Sequence, residues 1–345
     1  MRALVTEPGR AHTTRVDDVP EIRALDGEVL VRTLEVGVCG TDREISEGLF
    51  GIAPEDEHEL VLGHEALCIV EDDGHGFTRG DLVTATVRRS CGHCLPCEEE
   101  SPDSCLTGDY SERGITRLHG YARELVAEDP KQLIAIPRSL GRLGVLAEPT
   151  SICERALRHA RAIGGRQPWQ LERALVIGAG AIGVLTTYLL RLSGVEVVTA
   201  SLEPRNELVG QSGAQYVSTR DTELPELGTF DLVVEAAGNA SLMAQTLGLL
   251  RRSGVACLLG IDPRKQRVEL DGPTLGVDTI LENRVLFGSV NAHRQDWLAA
   301  VEHLDATRRR WPDALEQLVG LRVPLDRFED AFAYRGGKAT LVLAD

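Results

Sequence analysis

Residues 91–105 read CGHCLPCEEESPDSC and set thiols at Cys91, Cys94, Cys97 and Cys105. Gaps of two residues let consecutive sulfurs converge on one point, and a fourth returning after a longer loop completes the tetrahedral thiolate shell that Zn2+ prefers. With every position filled by protein, such a site is structural and leaves no place for water or substrate. A disulfide framework needs an oxidising compartment, for which the chain gives no sign, and an iron–sulfur cluster uses similar spacing in a different setting. Both fit less well than a closed zinc site.

A second set of chemistry-bearing residues is scattered. Val38-Cys39-Gly40-Thr41-Asp42 puts a thiol at a strand end beside a hydroxyl and a carboxylate, and Leu62-Gly63-His64-Glu65-Ala66 follows. Taken singly, a cysteine is most often a small buried hydrophobe, and a lone histidine is more often a satisfied polar residue than a ligand. Their company changes the reading. Both lie at strand or loop ends in the β-rich stretch that holds the four thiols, each with a carboxylate close by (Asp42, Glu65) able to orient an imidazole or to join a metal. A thiolate, an imidazole and a carboxylate leave one zinc position open, the arrangement of a catalytic site. Glu112 sits on a loop between Gly108 and Gly114. Glu148 stands just ahead of a helix expected to begin after Pro149, where it reads as an ordinary first-turn acid favoured by the helix dipole.

The elements that must position these groups fall into two textures. Residues 1–35 alternate short strands with turns, RALVT and then EVLVRTLEVG, with apolar side chains at Val29, Val31, Leu34 and Val36, which predicts an antiparallel β-rich domain. From residue 173 the pattern is strand, glycine loop, helix, strand: RALVIG, then GAGAIG with Gly178, Gly180 and Gly183, then VLTTYLLRLSG, then VEVVTAS. The glycines permit a tight turn and a close approach of backbone to a pyrophosphate, which lies on the helix N-terminus. G-x-G-x-x-G alone is weak evidence, but between a strand and a helix, with Glu203 twenty residues on, it predicts a doubly wound dinucleotide-binding domain. Further strands are expected at FDLVVEAAG, GVACLLG and VLFGSV. The apolar run from Ala174 to Leu190 is then a buried strand and helix, too short for the ~20 residues of a membrane span. After residue 291 a helix with Trp297, Leu298, Val301 and Leu304 at core spacing and a closing strand at LVLAD complete the chain.

Length favours two domains: 345 residues is long for one core. A formal charge of -16, with 34 Arg but only three Lys, argues against a nucleic-acid backbone as partner. The opening MRALVTEPGR has no basic-then-apolar export pattern, and the free cysteines suit a reducing setting, so a cytoplasmic protein is expected. We expect a small sugar or polyol substrate, no nucleic-acid or membrane partner, and a homo-oligomer, dimer or tetramer.

Together VCGTD at 38–42, LGHEA at 62–66, VRRSCGHCLPC at 87–97, ERGITRLHGY at 112–121, LAEPTSI at 146–152 and GSVNAH at 288–293 resemble the zinc-dependent medium-chain dehydrogenase/reductase (alcohol dehydrogenase) superfamily, most nearly its glucose (aldose) 1-dehydrogenase branch. The resemblance implies an α/β fold: a GroES-like catalytic zinc domain over 1–150 and 291–345, and a Rossmann domain over 151–290. It implies that Cys39, His64 and Glu148 ligate the catalytic zinc, with Glu65 adjacent or alternating, and that Cys91, Cys94, Cys97 and Cys105 hold the structural one. Thr41 would hold the reacting hydroxyl and start a proton path, Glu112 would contact sugar hydroxyls, and Asn291 would lie near nicotinamide and substrate. Gly178, Gly180, Ala181, Ile182 and Gly183 would form the phosphate loop. In this branch paired arginines often grip the 2′-phosphate of NADP, but here the sequence is Ser201-Leu202-Glu203-Pro204-Arg205. Glu203 favours a free ribose diol and hence NAD, whereas Ser201 and Arg205 can still hold a phosphate. The implied reaction is oxidation of a sugar C1 hydroxyl to a lactone. Its rivals are a zinc dehydrogenase of a polyol, aminocyclitol or secondary alcohol, a nucleotide-binding sensor or structural protein without turnover, and a zinc-independent quinone reductase.

Overall fold

In the computed structural model, which describes residues 1–264 and 266–344, the chain divides into two compact units. The first holds Met1–Ser151, Asn291–Asp305 and the residues from Val319 onward; the second holds Ile152–Val290 and Ala306–Leu318. The fold is α/β.

In the first unit the strand Val29–Val38 lies at the centre of a seven-stranded sheet, buried along nearly its whole length. It pairs antiparallel with Glu65–Val70, with Leu125–Glu128 and with the late strand Ala339–Val342. The closing strand expected at LVLAD therefore exists, shifted two residues earlier. Register decides what these strands bring together. Gly37 lies opposite Glu65, and Ala339 opposite Val38, so Cys39, Glu65 and Lys338 all fall at one end of three neighbouring strands. A Cβ at Gly37 would collide with the Glu65 carboxylate, so only glycine leaves room for that side chain to turn inward.

The second unit is built on six parallel strands in the spatial order Gln215–Ser218, Glu196–Ser201, Arg173–Ile177, Phe230–Glu235, Leu250–Leu258, Val285–Gly288. This doubly wound order reverses direction at Arg173–Ile177, where ligands of such sheets bind beyond the strand ends. The helix Ala181–Leu192 follows at once. Gly178 takes φ +105°, and a Cβ at Gly183 would collide with the Gly178 carbonyl, so the glycines let the helix close under the turn. Among the described residues no helix is long and apolar enough to cross a membrane.

Several elements differ from their sequence expectation. The helix expected after Pro149 spans Ala147–Gly164 and takes Glu148 and Pro149 into its first turn, where proline has no hydrogen bond to lose. Glu112 stands on the short strand Ser111–Arg113, paired with Arg88–Arg89, rather than on a loop. Of the four residues expected as core in the helix Arg294–Arg310, Trp297, Val301 and Leu304 are buried and Leu298 is exposed. Residues 306–318, assigned by sequence to the catalytic domain, group with the second unit: Trp311 packs edge-on against Tyr188 at 5.0 Å between ring centroids, and Gln211 donates to Gln317.

Candidate active site

Cys39 ends the central strand and caps the helix Gly40–Ser46. Its Sγ accepts from the Thr41 amide at 3.2 Å, while its own amide donates to Asp42 Oδ2 at 2.9 Å. His64 follows Gly63, whose φ of +93° turns the chain into the strand Glu65–Val70. The two arms meet: His64 Nε2 lies 3.2 Å from Cys39 Sγ. On the other side of the ring, Nδ1 faces Asp42 Oδ1 across 3.5 Å, longer than an ordinary hydrogen bond, and both atoms are buried without another partner. Burial opposes a charged imidazole, but Cys39 and Asp42 outweigh it and hold the His64 pKa well above its usual range. For Asp42, too, burial favours the neutral acid, yet His64 and the Cys39 amide hold its pKa down.

Glu65 completes the cluster. The ligand atoms of Cys39, His64 and Glu65 all lie within 4.8 Å of one another. Both Glu65 oxygens also accept from Lys338 Nζ at 2.6 Å. Burial works against the Lys338 charge, but Glu65 more than compensates and raises its pKa. Glu148 is buried nearby and is not part of that three-residue cluster. Burial and the neighbouring Glu65 charge push its pKa up to about 7. The geometry thus places the adjacent carboxylate, Glu65, with Cys39 and His64, and leaves the expected ligand Glu148 beside them. The donor set, a soft thiolate, an imidazole and a carboxylate with an acid behind the imidazole, fits zinc in an open site.

The four thiols converge separately. Cys94 Sγ lies 3.3 Å from Cys97 and 3.9 Å from Cys105, and Cys91 Sγ 3.5 Å from Cys105 and 3.9 Å from Cys97. A tetrahedral Zn–S4 centre with bonds of ~2.3 Å has sulfur–sulfur edges of ~3.8 Å, so these four sulfurs form a shell of zinc dimensions. All eight cysteines are free thiols. The Thr107 hydroxyl, followed by the His93 amide, lowers the Cys91 thiol to about 5, the direction that favours metal-binding thiolate.

In the second unit Gly178, Gly180, Ala181, Ile182 and Gly183 form the turn into the helix Ala181–Leu192, which Gly180 caps with open space where its Cβ would stand, while Gly178 and Gly183 are packed inside. At the end of the next strand Ser201 Oγ donates to Glu203 Oε2 at 2.5 Å. Tyr216 Oη donates to the Glu203 carbonyl at 2.7 Å and Arg220 Nε to the Leu202 carbonyl at 2.7 Å, which fixes the loop. Arg205 is exposed, 3.8 Å from Glu207. Asn291 belongs to the first unit, buried, with φ +66° and Nδ2 3.5 Å from the Asp103 carbonyl.

Comparison with known proteins decides the family. Residues 25–138 match the Alcohol dehydrogenase GroES-like domain, and 141–343 match the Glucose dehydrogenase C-terminus. A glucose 1-dehydrogenase of Methanocella arvoryzae is 39% identical over 96% of this chain and 95% of its own. One from Thermoproteus tenax is 38% identical over 99% of both chains. The chain belongs to the glucose dehydrogenase family of zinc-dependent medium-chain dehydrogenases. A solved structure of Haloferax mediterranei glucose dehydrogenase in complex with NADP, Zn and gluconolactone superposes on this family member with a TM-score of 0.91, at 35% identity over 100% of both chains.

Two residues around this family member's open cluster escape a motif reading. Lys338 lies 273 positions from Glu65, and its only sequence signal is rarity, as one of three lysines. Gly37 lies inside a strand, where its role emerges only from register. Asp42→Asn removes the charge that faces His64. We expect ~10- to 100-fold weaker zinc retention at the open cluster, measured by chelator competition. Retention at the wild-type level would show that Asp42 does not orient the imidazole.

Proposed function

We propose that this chain is a zinc-dependent, NAD(P)-linked aldose 1-dehydrogenase that oxidises the C1 hydroxyl of glucose to the lactone. The convergence of Cys39, His64 and Glu65 carries the reading. It is supported by relatives named glucose 1-dehydrogenase at 35% to 39% identity and by the gluconolactone in the Haloferax structure. When bound, zinc supplies the Lewis acidity that lowers the pKa of the C1 hydroxyl, and the nicotinamide ring supplies the hydride acceptor. Cys39 and His64, with a carboxylate from Glu65, would hold the metal, and Asp42 keeps the His64 ring turned so that Nε2 faces the thiolate. Thr41, fixed through its amide on Cys39 Sγ, takes up the hydroxyl proton and passes it outward as the C1 hydrogen leaves with its electron pair. Glu65 supplies negative charge, which Lys338 balances, and Glu148 beside it is held toward its neutral form by burial and by the Glu65 charge. Glu112 accepts from sugar hydroxyls, and Asn291 positions the nicotinamide and the substrate.

Of the two cofactors we take NAD as preferred. Glu203, held by Ser201 at the end of the second strand of the dinucleotide unit, would pair with the free diol of an adenosine ribose and repel a 2′-phosphate. Cys39→Ala or His64→Ala is expected to reduce glucose oxidation by about 10^3-fold or more while dinucleotide binding survives. Steady-state rates on an aldose and polyol panel with both cofactors measure this. Full activity in either variant, a polyol outrunning every aldose, or a higher kcat/KM with NADP would each contradict the corresponding part of the reading.

We also infer that the chain assembles as a homo-oligomer. Val285–Gly288 is an edge strand, and Val277, Ile280, Leu281, Leu286 and Val290 are exposed around it in sequence, an apolar surface that monomers rarely leave open. Sedimentation should give a dimer or tetramer that Ile280→Lys with Leu281→Lys dissociates; a wild-type monomer at micromolar concentration would refute it.

A further inference from the structure

We propose that Arg88 is a positioning residue that fixes the Glu112 carboxylate and thereby sets which aldose the enzyme accepts. The inference rests on the reading of Glu112 as a sugar contact. Arg88 and Glu112 are direct partners across the antiparallel pair Arg88–Arg89 and Ser111–Arg113. Arg88 Nε and Nη2 reach the same oxygen, Glu112 Oε1, at 3.0 and 2.9 Å. Nη1 donates to the Asp103 carbonyl at 2.8 Å, and the Tyr110 ring lies against the guanidinium, 4.0 Å from carbon to centroid. With its nitrogens and one face engaged inside the protein, this guanidinium acts through Glu112 rather than on a sugar.

The consequence falls on the second carboxylate oxygen. Among the described residues no donor meets Glu112 Oε2, whereas Oε1 is taken twice. The backbone beneath it is locked as well, since the Glu112 amide donates to the Thr116 carbonyl at 2.8 Å and its carbonyl accepts from Ile115 and Thr116. Two residues on, Gly114 at φ +68° packs on the backbone of Gly63, where a Cβ would stand 2.7 to 2.8 Å from the Gly63 carbonyl carbon and amide nitrogen. Gly63 precedes the metal-binding candidate His64. The turn that carries Glu112 is thus fixed against the open cluster, and Arg88 fixes the side chain on that turn. An acceptor with one fixed oxygen recognises a hydroxyl in one place and rejects an epimer that presents it elsewhere. A freely rotating carboxylate discriminates less.

The experiment measures kcat and KM of the zinc-loaded enzyme for D-glucose, D-mannose and D-galactose in wild type, Arg88→Met, Arg88→Lys, Glu112→Gln and the Arg88→Met, Glu112→Gln double variant. Arg88→Met should raise the glucose KM about tenfold and shrink the preference for glucose over its epimers, with kcat and cofactor KM within about twofold. Arg88→Lys keeps the charge but loses the fork, so its KM falls between the two. The double variant should be no worse than the poorer single variant, because both changes remove one unit. A wild-type glucose KM in Arg88→Met alongside a raised one in Glu112→Gln, or effects that multiply in the double variant, would overturn the role of Arg88. An unchanged glucose KM in Glu112→Gln would instead overturn the sugar contact itself. If Arg88→Met fails to fold, Arg88→Lys decides: its KM must rise severalfold, and a wild-type value refutes the proposal.

Discussion

Lys338 enters from the last strand of the chain and sets its ammonium 2.6 Å from both oxygens of Glu65, with both side chains buried. Burying two charges carries a desolvation penalty of several kcal/mol per ion, recovered only when geometry is good, and removing one partner leaves an uncompensated buried charge worth roughly 3–5 kcal/mol. The pair therefore says less about how stable the unit is than about which arrangement it permits. Three strands must hold one register for it to form: Val29–Val38 puts Gly37 opposite Glu65, and Ala339–Val342 brings Lys338 alongside. The same register delivers Cys39 to the end of the central strand, within 3.2 Å of His64.

Around that pair the charges are arranged in layers. Asp42 ties the Cys39 amide and faces the far side of the His64 ring, so one carboxylate orients both the thiol and the imidazole. Glu65 joins the cluster with Lys338 on both its oxygens, and burial together with the nearby Glu65 charge pushes Glu148 up to about 7. The four-thiol loop follows different rules. Its sulfurs fill a tetrahedron among themselves and leave no outward position, so it can stiffen its surroundings but not meet a substrate.

How much of this is legible in the sequence depends on the range of the interaction. Spacing within fifteen residues names the closed site, because C-x2-C-x2-C-x7-C constrains sulfurs locally. The glycine turn at 178–183 is legible for the same reason: strand, turn and helix are consecutive, and the parallel sheet follows. Glu112 is misplaced on a loop in the sequence reading, because the short strand Ser111–Arg113 exists only through its pairing with Arg88–Arg89. The surroundings of Glu65 are invisible in sequence, since they turn on Lys338, 273 residues beyond it, and on a glycine whose missing side chain matters only in register. Residues 306–318 illustrate the same limit: a helix pattern fixes periodicity, whereas the unit it joins is set by where Trp311 and Gln317 find partners.

Two clusters of different kinds stand in one chain as zinc sites, one closed by four thiols and one open at Cys39, His64 and Glu65. Zinc stoichiometry tests this assignment most directly, counted by elemental analysis on purified wild type and on the Cys39→Ala variant. The account predicts two zinc ions per chain in the wild type and one in the variant. One ion in the wild type, or two in the variant, would contradict it.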